Sequence, residues 1–492
     1  MKGKIIFFLL LIILISPTLG IAETEVSGVI GSNATWTLAG SPYIVTGNIL
    51  VSENVELIIE PGVMVKFREC PLDWQEYYIR IDGTLKAEGE QDNPIVFTIE
   101  SEGYNWGCIG FTDTSVDWDE TISTGCILSN CILEYGGVHG GGMNEFSDAI
   151  IRCFSSSPMI RNNIIRYSYN DAIRCEGSDH LKIVNNYIYN NKSRGVLMLS
   201  GSGVIDNNVI KDNGQGIYLG SMVEDTEITN NTINISLPEQ FGACIRIDMW
   251  DFSESNVLIS NNDIASSNVN SNAISLILQY NISSLENIQF SHNNINNTGG
   301  LFCVYLVDGS DNGDKILNMT NNWWGATDEN EINQLIYDFN DDFNLPIVDY
   351  LPFATEEISE SGSTLPPLPI EPPLPSPPTA VAGSDQMVFN EIILDGSLSS
   401  DPDGDIVSYV WTVRRREDII FTPPVMTVEG VNPTISGLTP GFYDISLAVT
   451  DSSGLVGTDG MICAAMGRKG DFDQDGDVDG DDLAEFSENF GM

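Results

Sequence analysis

The motif that decides the fold recurs as Asn185-Asn186-Tyr187-Ile188, Asn207-Asn208-Val209-Ile210 and Asn230-Asn231-Thr232-Ile233. Further copies occur at Asn162-Asn163-Ile164, Asn261-Asn262-Asp263-Ile264 and Asn293-Asn294-Ile295. The first four copies are almost evenly spaced, and short alternating segments such as Gly195-Val196-Leu197-Met198 lie between copies. Short strands repeating about every 22 residues, without helical periodicity, bury their apolar faces only by stacking. The sequence therefore predicts an all-β chain built around a β-solenoid.

Asparagine suits the bends of such a coil, because it tolerates the left-handed backbone region and bonds locally. Equivalent asparagines in stacked coils can also pair as a ladder. The wider steps before the last two copies of the motif predict loops inserted at the bends. Cys131, Cys153 and Cys175 are equally spaced, one repeat apart, so we predict one inward thiol stack over three coils, with a metal–thiolate site as the alternative.

These segments resemble the right-handed parallel β-helix superfamily, which includes pectate lyases and many repeat proteins of bacterial and archaeal cell surfaces. Leu57-Ile58-Ile59-Glu60-Pro61-Gly62-Val63 resembles the first coils of such surface proteins, and Asn321-Asn322-Trp323-Trp324-Gly325 resembles their closing segment. The resemblance implies a right-handed parallel β-helix over residues 23–355 and a role with extracellular polysaccharide or surface glycan.

Asp148 and Asp171 are the candidate catalytic carboxylates, with Arg174 as their candidate partner. The resemblance implies one of two kinds of enzyme site. Lyases of this superfamily hold Ca²⁺ on outward carboxylates and use an arginine as the base, and its hydrolases use clustered aspartates. Two carboxylates one coil apart can bind a cation or share acid and base roles. In the alternative interpretation they are bend residues whose charges are balanced by Arg152 and Arg174. Whether the protein is an enzyme, and then a polysaccharide lyase or glycoside hydrolase, stays open.

The strongly negative net charge argues against two classes of partner. The chain has 70 acidic and 21 basic residues and a net charge of -49, so nucleic acid and anionic membranes would repel it. Lys2, Lys4, the apolar run 5–15 and the small residues ending at Ala22 predict a signal peptide over residues 1–22 and a secreted, cell-surface-associated protein. That run is shorter than the ~20 residues that cross a bilayer, and no later stretch is long and apolar enough.

A proline-rich segment separates the solenoid from a second domain. Eight of the thirteen residues from Pro366 to Pro378 are proline, which predicts a stiff extended linker over residues 356–377. Short strands and turns follow over residues 378–466, among them Tyr409-Val410-Trp411. This region resembles a polycystic-kidney-disease (PKD) domain, which implies an immunoglobulin-like β-sandwich.

Residues 467–492 contain a calcium-loop pattern, with Gly476 at the sixth position and Val478 at the eighth. The predicted metal ligands are Asp471, Asp473, Asp475, Asp477, Asp479 and Asp482. Apolar residues at 483, 486 and 490 predict a helix with one apolar face; a disordered acidic tail is the alternative. The loop resembles the dockerin type, which implies a cohesin-like partner, although dockerins carry two such repeats and this chain carries one.

Two hypotheses for function follow. In the first, a secreted or cell-surface protein binds, or both binds and processes, extracellular polysaccharide. In the second, it is a non-catalytic adhesion or cell-envelope structural protein. Aromatic side chains that could stack on sugar rings support the first; they are Trp74, Tyr77, Tyr78, Tyr104, Trp106, Trp118 and Trp250.

Overall fold

The structure of the chain is a computed structural model, which divides into two compact units between Pro367 and Leu368. It describes residues 23–70, 76–101, 103–138, 148–235, 242–249, 256–278, 284–299, 302–308, 312–367, 378–389, 391–402, 406–416, 424–451, 456–466, 480–481 and 484. The predicted signal peptide lies outside these ranges.

The first unit is a parallel β-solenoid, as the repeat predicts. Each coil contributes a strand in turn to three parallel sheets, which we name A, B and C. In one coil, Met159–Arg161 lies in sheet A, Ile164–Arg166 in sheet B and Asp171–Glu176 in sheet C, and Ser178–Val184 begins the next coil in sheet A. Inward isoleucines from all three sheets are fully buried, so the core is a column of stacked apolar side chains.

The strands of sheet A are Ala34–Trp36, Glu56–Ile59, Thr84–Glu88, Ile127–Ser129, Met159–Arg161, Ser178–Val184, Val257–Ser260, Ile288–Ser291, Ile316–Asn318 and Ile347–Asp349. Those of sheet B are Met64–Phe67, Ile95–Ile99, Cys131–Glu134, Ile164–Arg166, Tyr187–Tyr189, Val209–Lys211, Thr232–Ile235, Asp263–Ser266 and Asn294–Asn297. Those of sheet C are Ile79–Ile81, Ile109–Phe111, Ala149–Phe154, Asp171–Glu176, Ala243–Met249, Asn272–Leu278, Val304–Asp308 and Ile336–Tyr337. Thr24–Ile30 and Tyr43–Val51 run from B into C, and Arg194–Asp206 and Gln215–Thr229 run from C into A.

A buried asparagine ladder occupies the bend between sheets A and B. At Asn208, Nδ2 donates to the Ile183 carbonyl at 2.8 Å and to Asn231 Oδ1 at 2.9 Å. Its Oδ1 accepts from the backbone N–H of Asn186 at 2.9 Å and from Asn186 Nδ2 at 3.0 Å. Each amide thus bonds both to the backbone and to the same amide in the next coil. The fully buried members are Asn163, Asn186, Asn208, Asn231, Asn262, Asn293 and Asn322.

The residue before each ladder amide takes the left-handed conformation, for example Asn185 with φ 59° and Asn207 with φ 53°. The two asparagines of the motif therefore divide the two tasks that the sequence assigns to them. At the last copy of the motif these two positions are His292, which has φ 58°, and Asn293, which joins the ladder.

The predicted stack of three cysteines is wrong for one member. Cys153 and Cys175 are in-register neighbours on sheet C, whereas Cys131 lies on sheet B beside Ile95. All three are buried, and burial raises the pKa of Cys131 to about 12, so this thiol stays protonated and packs as an apolar group. Among the described residues, no group of three or more His, Cys, Asp and Glu side chains could hold a metal.

A 3₁₀ turn, Leu38–Gly40, lies near the first coils, and a short helix, Glu329–Gln334, lies near the last. The Asp328 side chain caps the helix by accepting from the backbone N–H of Asn330 at 2.9 Å and of Glu331 at 3.2 Å. The predicted closing segment packs into the core through Trp324, which is fully buried.

Residues 354–367, which we call the strap, run back along the solenoid from its last coils. Ile358 exchanges two hydrogen bonds with the Asn294 amide, Thr364 N–H donates to Asn207 Oδ1 at 2.7 Å, and Tyr187 Oη donates to the Pro366 carbonyl at 2.6 Å. Gly362, at φ 96°, passes so close to Asp263 that an added Cβ would lie 3.0 Å from the aspartate Cβ. The first part of the predicted linker thus lies against the coils.

The second unit contains a five-stranded and a two-stranded sheet. The larger sheet consists of Gln386–Val388, Val456–Ala465, Gly441–Asp451, Ile406–Arg415 and Met426–Glu429, and the smaller of Glu391–Ile393 and Thr434–Ser436. Trp411 is fully buried between them and donates to the Gly430 carbonyl at 3.0 Å. Tyr443 Oη donates back to the Thr439 carbonyl at 2.8 Å, the corner contact of immunoglobulin-like sandwiches.

We predict that Asn208→Ala lowers the free energy of unfolding by about 2–6 kcal/mol, because the Ile183 carbonyl and the Asn186 N–H each lose a buried partner at about 1–3 kcal/mol. The control is Asn162→Gly, because glycine adopts the φ of 56° at this position readily. This variant should lower the free energy of unfolding by less than about 1 kcal/mol. Urea titration compares the two variants. Equal losses would contradict a central role for the ladder.

Candidate functional site

Asp171 lies at the start of a sheet C strand, and its carboxylate faces the protein rather than solvent. The side chain is 1% exposed, and Oδ1 pairs with Arg194 Nε at 2.8 Å and accepts from the Arg194 backbone N–H at 3.1 Å. Its Oδ2 has no hydrogen-bond partner in the described part of the chain. A carboxylate buried in this way cannot touch a polymeric substrate without a local opening of the coil.

Asp148 and Arg174 lie close together on adjacent coils, as expected from the one-coil spacing of Asp148 and Asp171. Asp148 takes φ 79°, and its carbonyl accepts from the Asp171 N–H at 3.1 Å. Arg174 places Nη1 3.8 Å from Asp148 Oδ2 and Nε 2.9 Å from Glu176 Oε1. The guanidinium is thus held between two carboxylates of its own chain, an arrangement that favours the charge-balance interpretation of the cluster.

Arginine side chains also contact an aromatic ring and a carboxylate further along sheet C, toward the last coils. The Arg194 guanidinium lies 5.5 Å from the ring centre of Tyr218, and the Arg246 guanidinium lies 5.2 Å from the centre of the same ring. Arg246 also pairs with Asp248 through Nε at 2.9 Å and Nη2 at 3.2 Å. Burial, and then the hydrogen bond to Asp248, raise the pKa of Tyr218 to about 12, so its hydroxyl remains a donor.

Sheet C concentrates the scarce arginines of the solenoid. Eight arginines lie between residues 23 and 355, and five of them are on this sheet: Arg80, Arg152, Arg174, Arg194 and Arg246. Each is paired with a carboxylate of the same face. Positively and negatively charged side chains therefore lie side by side on this face, and the face presents no net positive field to an anionic ligand.

One of the aromatic candidates, Trp106, is not available as a sugar platform. Trp106 is 1% exposed and stacks on Phe67 with ring centres 4.2 Å apart. The Tyr104 hydroxyl bonds to the Phe67 carbonyl. Trp74 and Trp250 lie outside the described residues, and Tyr77 and Tyr78 are half-buried. Trp118 differs, because it borders a groove on another face.

The groove lies on the outer face of sheet A, beside the loop 112–126. This loop folds back over the sheet, where the Trp118 backbone N–H donates to the Ser157 carbonyl at 3.0 Å and the Glu120 carboxylate pairs with Lys182. Trp118 Nε1 has no hydrogen-bond partner among the described residues, and the Arg161 guanidinium lies 5.9 Å from its ring centre. The loop thus forms one wall, with an indole and carboxylates at its edge.

Two clefts of about 380 and 500 Å³ adjoin each other, because His180 and Lys182 line both of them, and together they are the groove. Its floor is the in-register column Lys182, Val204, Glu227 and Leu258, about 14 Å long at the usual strand spacing. Asn256 donates to Asp225 Oδ1 from Nδ2 at 2.8 Å and from its backbone at 3.1 Å, which lowers the pKa of Asp225. Ammonium, carboxylate, amide and imidazole groups line it together.

Sequence reasoning missed this groove because its wall and its floor come from distant segments. His180 and Lys182 carry no motif, and only the strand alternation places Lys182 and Glu227 on the outward face. The predicted calcium ligands Asp471, Asp473, Asp475, Asp477, Asp479 and Asp482 lie outside the described residues.

Comparison with known proteins agrees with the architecture. A family model described as right handed beta helix region matches residues 119–234, and a family model for a PKD domain matches residues 382–462. No curated protein matches the chain. The chain is thus a β-helix followed by a PKD domain, a combination consistent with an extracellular surface protein. Across the described residues, no helix has the length and apolarity to cross a membrane.

We predict that Arg194→Met lowers the free energy of unfolding by about 3–5 kcal/mol, because it leaves the buried Asp171 carboxylate without its cation. The control Lys211→Met removes a pair with Asp212 at 3.5 Å whose lysine is 49% exposed, and should change stability by less than about 0.5 kcal/mol. Thermal or urea unfolding measures both. Matching effects would contradict a structural role for the Asp171 pair.

Proposed function

We propose that the protein is exported, associates with the cell surface and binds extracellular polysaccharide along the sheet A groove. The observation that carries the proposal is the pair of adjoining clefts that His180 and Lys182 both line. Sugar hydroxyls both donate and accept, so a groove that offers a donor such as Lys182 together with an acceptor such as Glu227 suits them. The indole of Trp118 adds an apolar surface for a sugar ring.

The charge of the groove favours a neutral or weakly acidic glycan. Lys182 is already paired with Glu120, and Asp225 and Glu227 face the same space. A densely anionic polymer would meet these carboxylates with repulsion. The groove runs across successive coils, so an extended polymer laid along the solenoid axis meets a new side chain at each coil.

Binding without processing is the form of the proposal that the contacts support. A lyase or hydrolase built on Asp148, Asp171 and Arg174 would need carboxylates that reach the substrate. The burial of Asp171 and the two ion pairs of Arg174 oppose that role. The alternative role in adhesion or envelope structure shares the same exterior location and differs in needing no glycan.

A screen of neutral and acidic polysaccharides, followed by titration of the best ligand, tests the proposal. We expect the double variant His180→Asn, Glu227→Gln to weaken binding roughly tenfold or more, since two hydrogen-bonding groups change; asparagine keeps the φ of 61° at position 180 accessible. Glu53→Gln, on an exposed turn remote from the groove, should bind as the parent does. No glycan binding at all would overturn the proposal, and equal binding by the groove variant would overturn the groove as its site.

We also propose that residues 471–482 bind one calcium ion. The donor set fits a hard cation, because aspartate oxygens stand at positions 1, 3, 5, 9 and 12 and glycine stands at the turn. Calorimetric titration of the full chain should give one site that Asp475→Asn with Asp482→Asn removes. Glu429→Gln, on an exposed position of the PKD domain, is the control and should keep the site. Retention of calcium by the double variant would contradict this ligand set.

A further inference from the structure

One end of the PKD domain carries a patch of apolar side chains on the outer face of its larger sheet. Met387 is 69% exposed, Phe389 63%, Phe442 56% and Met466 42%. Register places Met387 beside Ala464 and Ala464 beside Phe442, so the patch is contiguous. Exposed apolar patches of this kind usually mark a surface that something covers.

Basic side chains border the patch. Arg416 donates its backbone N–H to the Phe442 carbonyl at 3.0 Å, and its guanidinium lies 3.8 Å from the Asp444 carboxylate with both side chains more than half exposed. Arg414 pairs in register with Asp444. Residues 414–416 are three of the five basic residues beyond Pro367, so the one basic edge in the described part of this unit adjoins its apolar patch.

The chain leaves the sheet at this patch. The last strand ends at Ala465, and the Met466 N–H donates to the Val388 carbonyl at 2.8 Å. The rest of the chain, residues 467–492, contains nine acidic residues, and its predicted helix carries three large apolar side chains, Leu483, Phe486 and Phe490. A segment tethered directly beside the patch meets it at a high effective concentration.

We propose that the patch formed by Met387, Phe389, Phe442, Ala464 and Met466 is the docking site of the chain's own residues 467–492. The apolar side chains of the tail cover the patch, and the carboxylates that are not predicted calcium ligands, Asp481, Glu485 and Glu488, face Arg414 and Arg416. The docking goes beyond glycan binding, which takes place on the other unit. It joins the predicted calcium loop to the PKD domain as one folded body.

Hydrogen exchange of the full chain with calcium present tests the docking. We expect Met387→Ser with Phe442→Ser to raise exchange in peptides from residues 480–492 roughly tenfold or more, because the apolar contact is lost. Val456→Ser is the matched control, since Val456 is 51% exposed on the same face at the far end of the same strand as Ala464. It should leave the tail unchanged.

A second variant, Arg414→Glu with Arg416→Glu, should also raise tail exchange and should do so less at high salt, because ionic screening weakens the new repulsion. Unchanged exchange within Glu391–Ile393 and Thr434–Ser436, which contain no substituted residue, confirms that each variant folds. Tail exchange that no patch variant alters would overturn the proposal. If the serine variant instead halves the mass of the particle in light scattering, with the tail unaffected, the patch joins two copies and the proposal is wrong.

Discussion

The coil-to-coil hydrogen bonds of the buried asparagine amides are the constraint on which the rest of the solenoid depends. A bend that turns backbone groups inward must supply them with partners, since an unpaired buried polar group is strongly destabilising. An amide supplies a donor and an acceptor at once and still reaches the same amide in the next coil. The ladder from Asn163 to Asn322 therefore fixes how successive coils stack.

Fixed stacking turns sequence repeats into surface columns. Residues separated by one coil become neighbours about 4.8 Å apart, so the sign and shape of each outer face depend on which side chains repeat. On sheet C the repeat brings arginines beside carboxylates and closes them into pairs. On sheet A the same regularity provides an open floor, and a single long loop supplies the wall. Two faces of one architecture thus differ because one satisfies its own charges and the other leaves polar groups exposed to a groove.

The sequence predicts the features of the fold that repeat from coil to coil, and it does not predict the features that lie outside the repeat. The solenoid, the left-handed bends and the ladder all follow from the Asn-Asn motif. The prediction misplaces Cys131 because the coil from Leu128 to Ile160 is longer than the next one, from Ile160 to Ile183, so cysteines at equal spacings fall on different sheets.

The candidate site shows the same limit. Asp148 and Asp171 do lie on adjacent coils, but Arg194, which closes over Asp171, belongs to a third segment without a motif. The wall beside Trp118 and the path of the strap depend on contacts between distant residues, which no local pattern encodes.

The strap also determines which coils of the solenoid bear the force when the chain is pulled from beyond Pro367. Because it runs back from the last coils to Tyr187, a pull on the chain beyond Pro367 reaches the solenoid near its middle instead of at its end. The hydrogen bonds to Tyr187, Asn207 and Asn294 lie one after another along the strap, so a sideways pull opens them in that order, a few bonds at a time. The ladder does not lie on this path. A protein held at a surface through its C-terminal part could therefore lengthen by about fourteen residues under load while its coils stay stacked, at up to about 3.3–3.6 Å per residue.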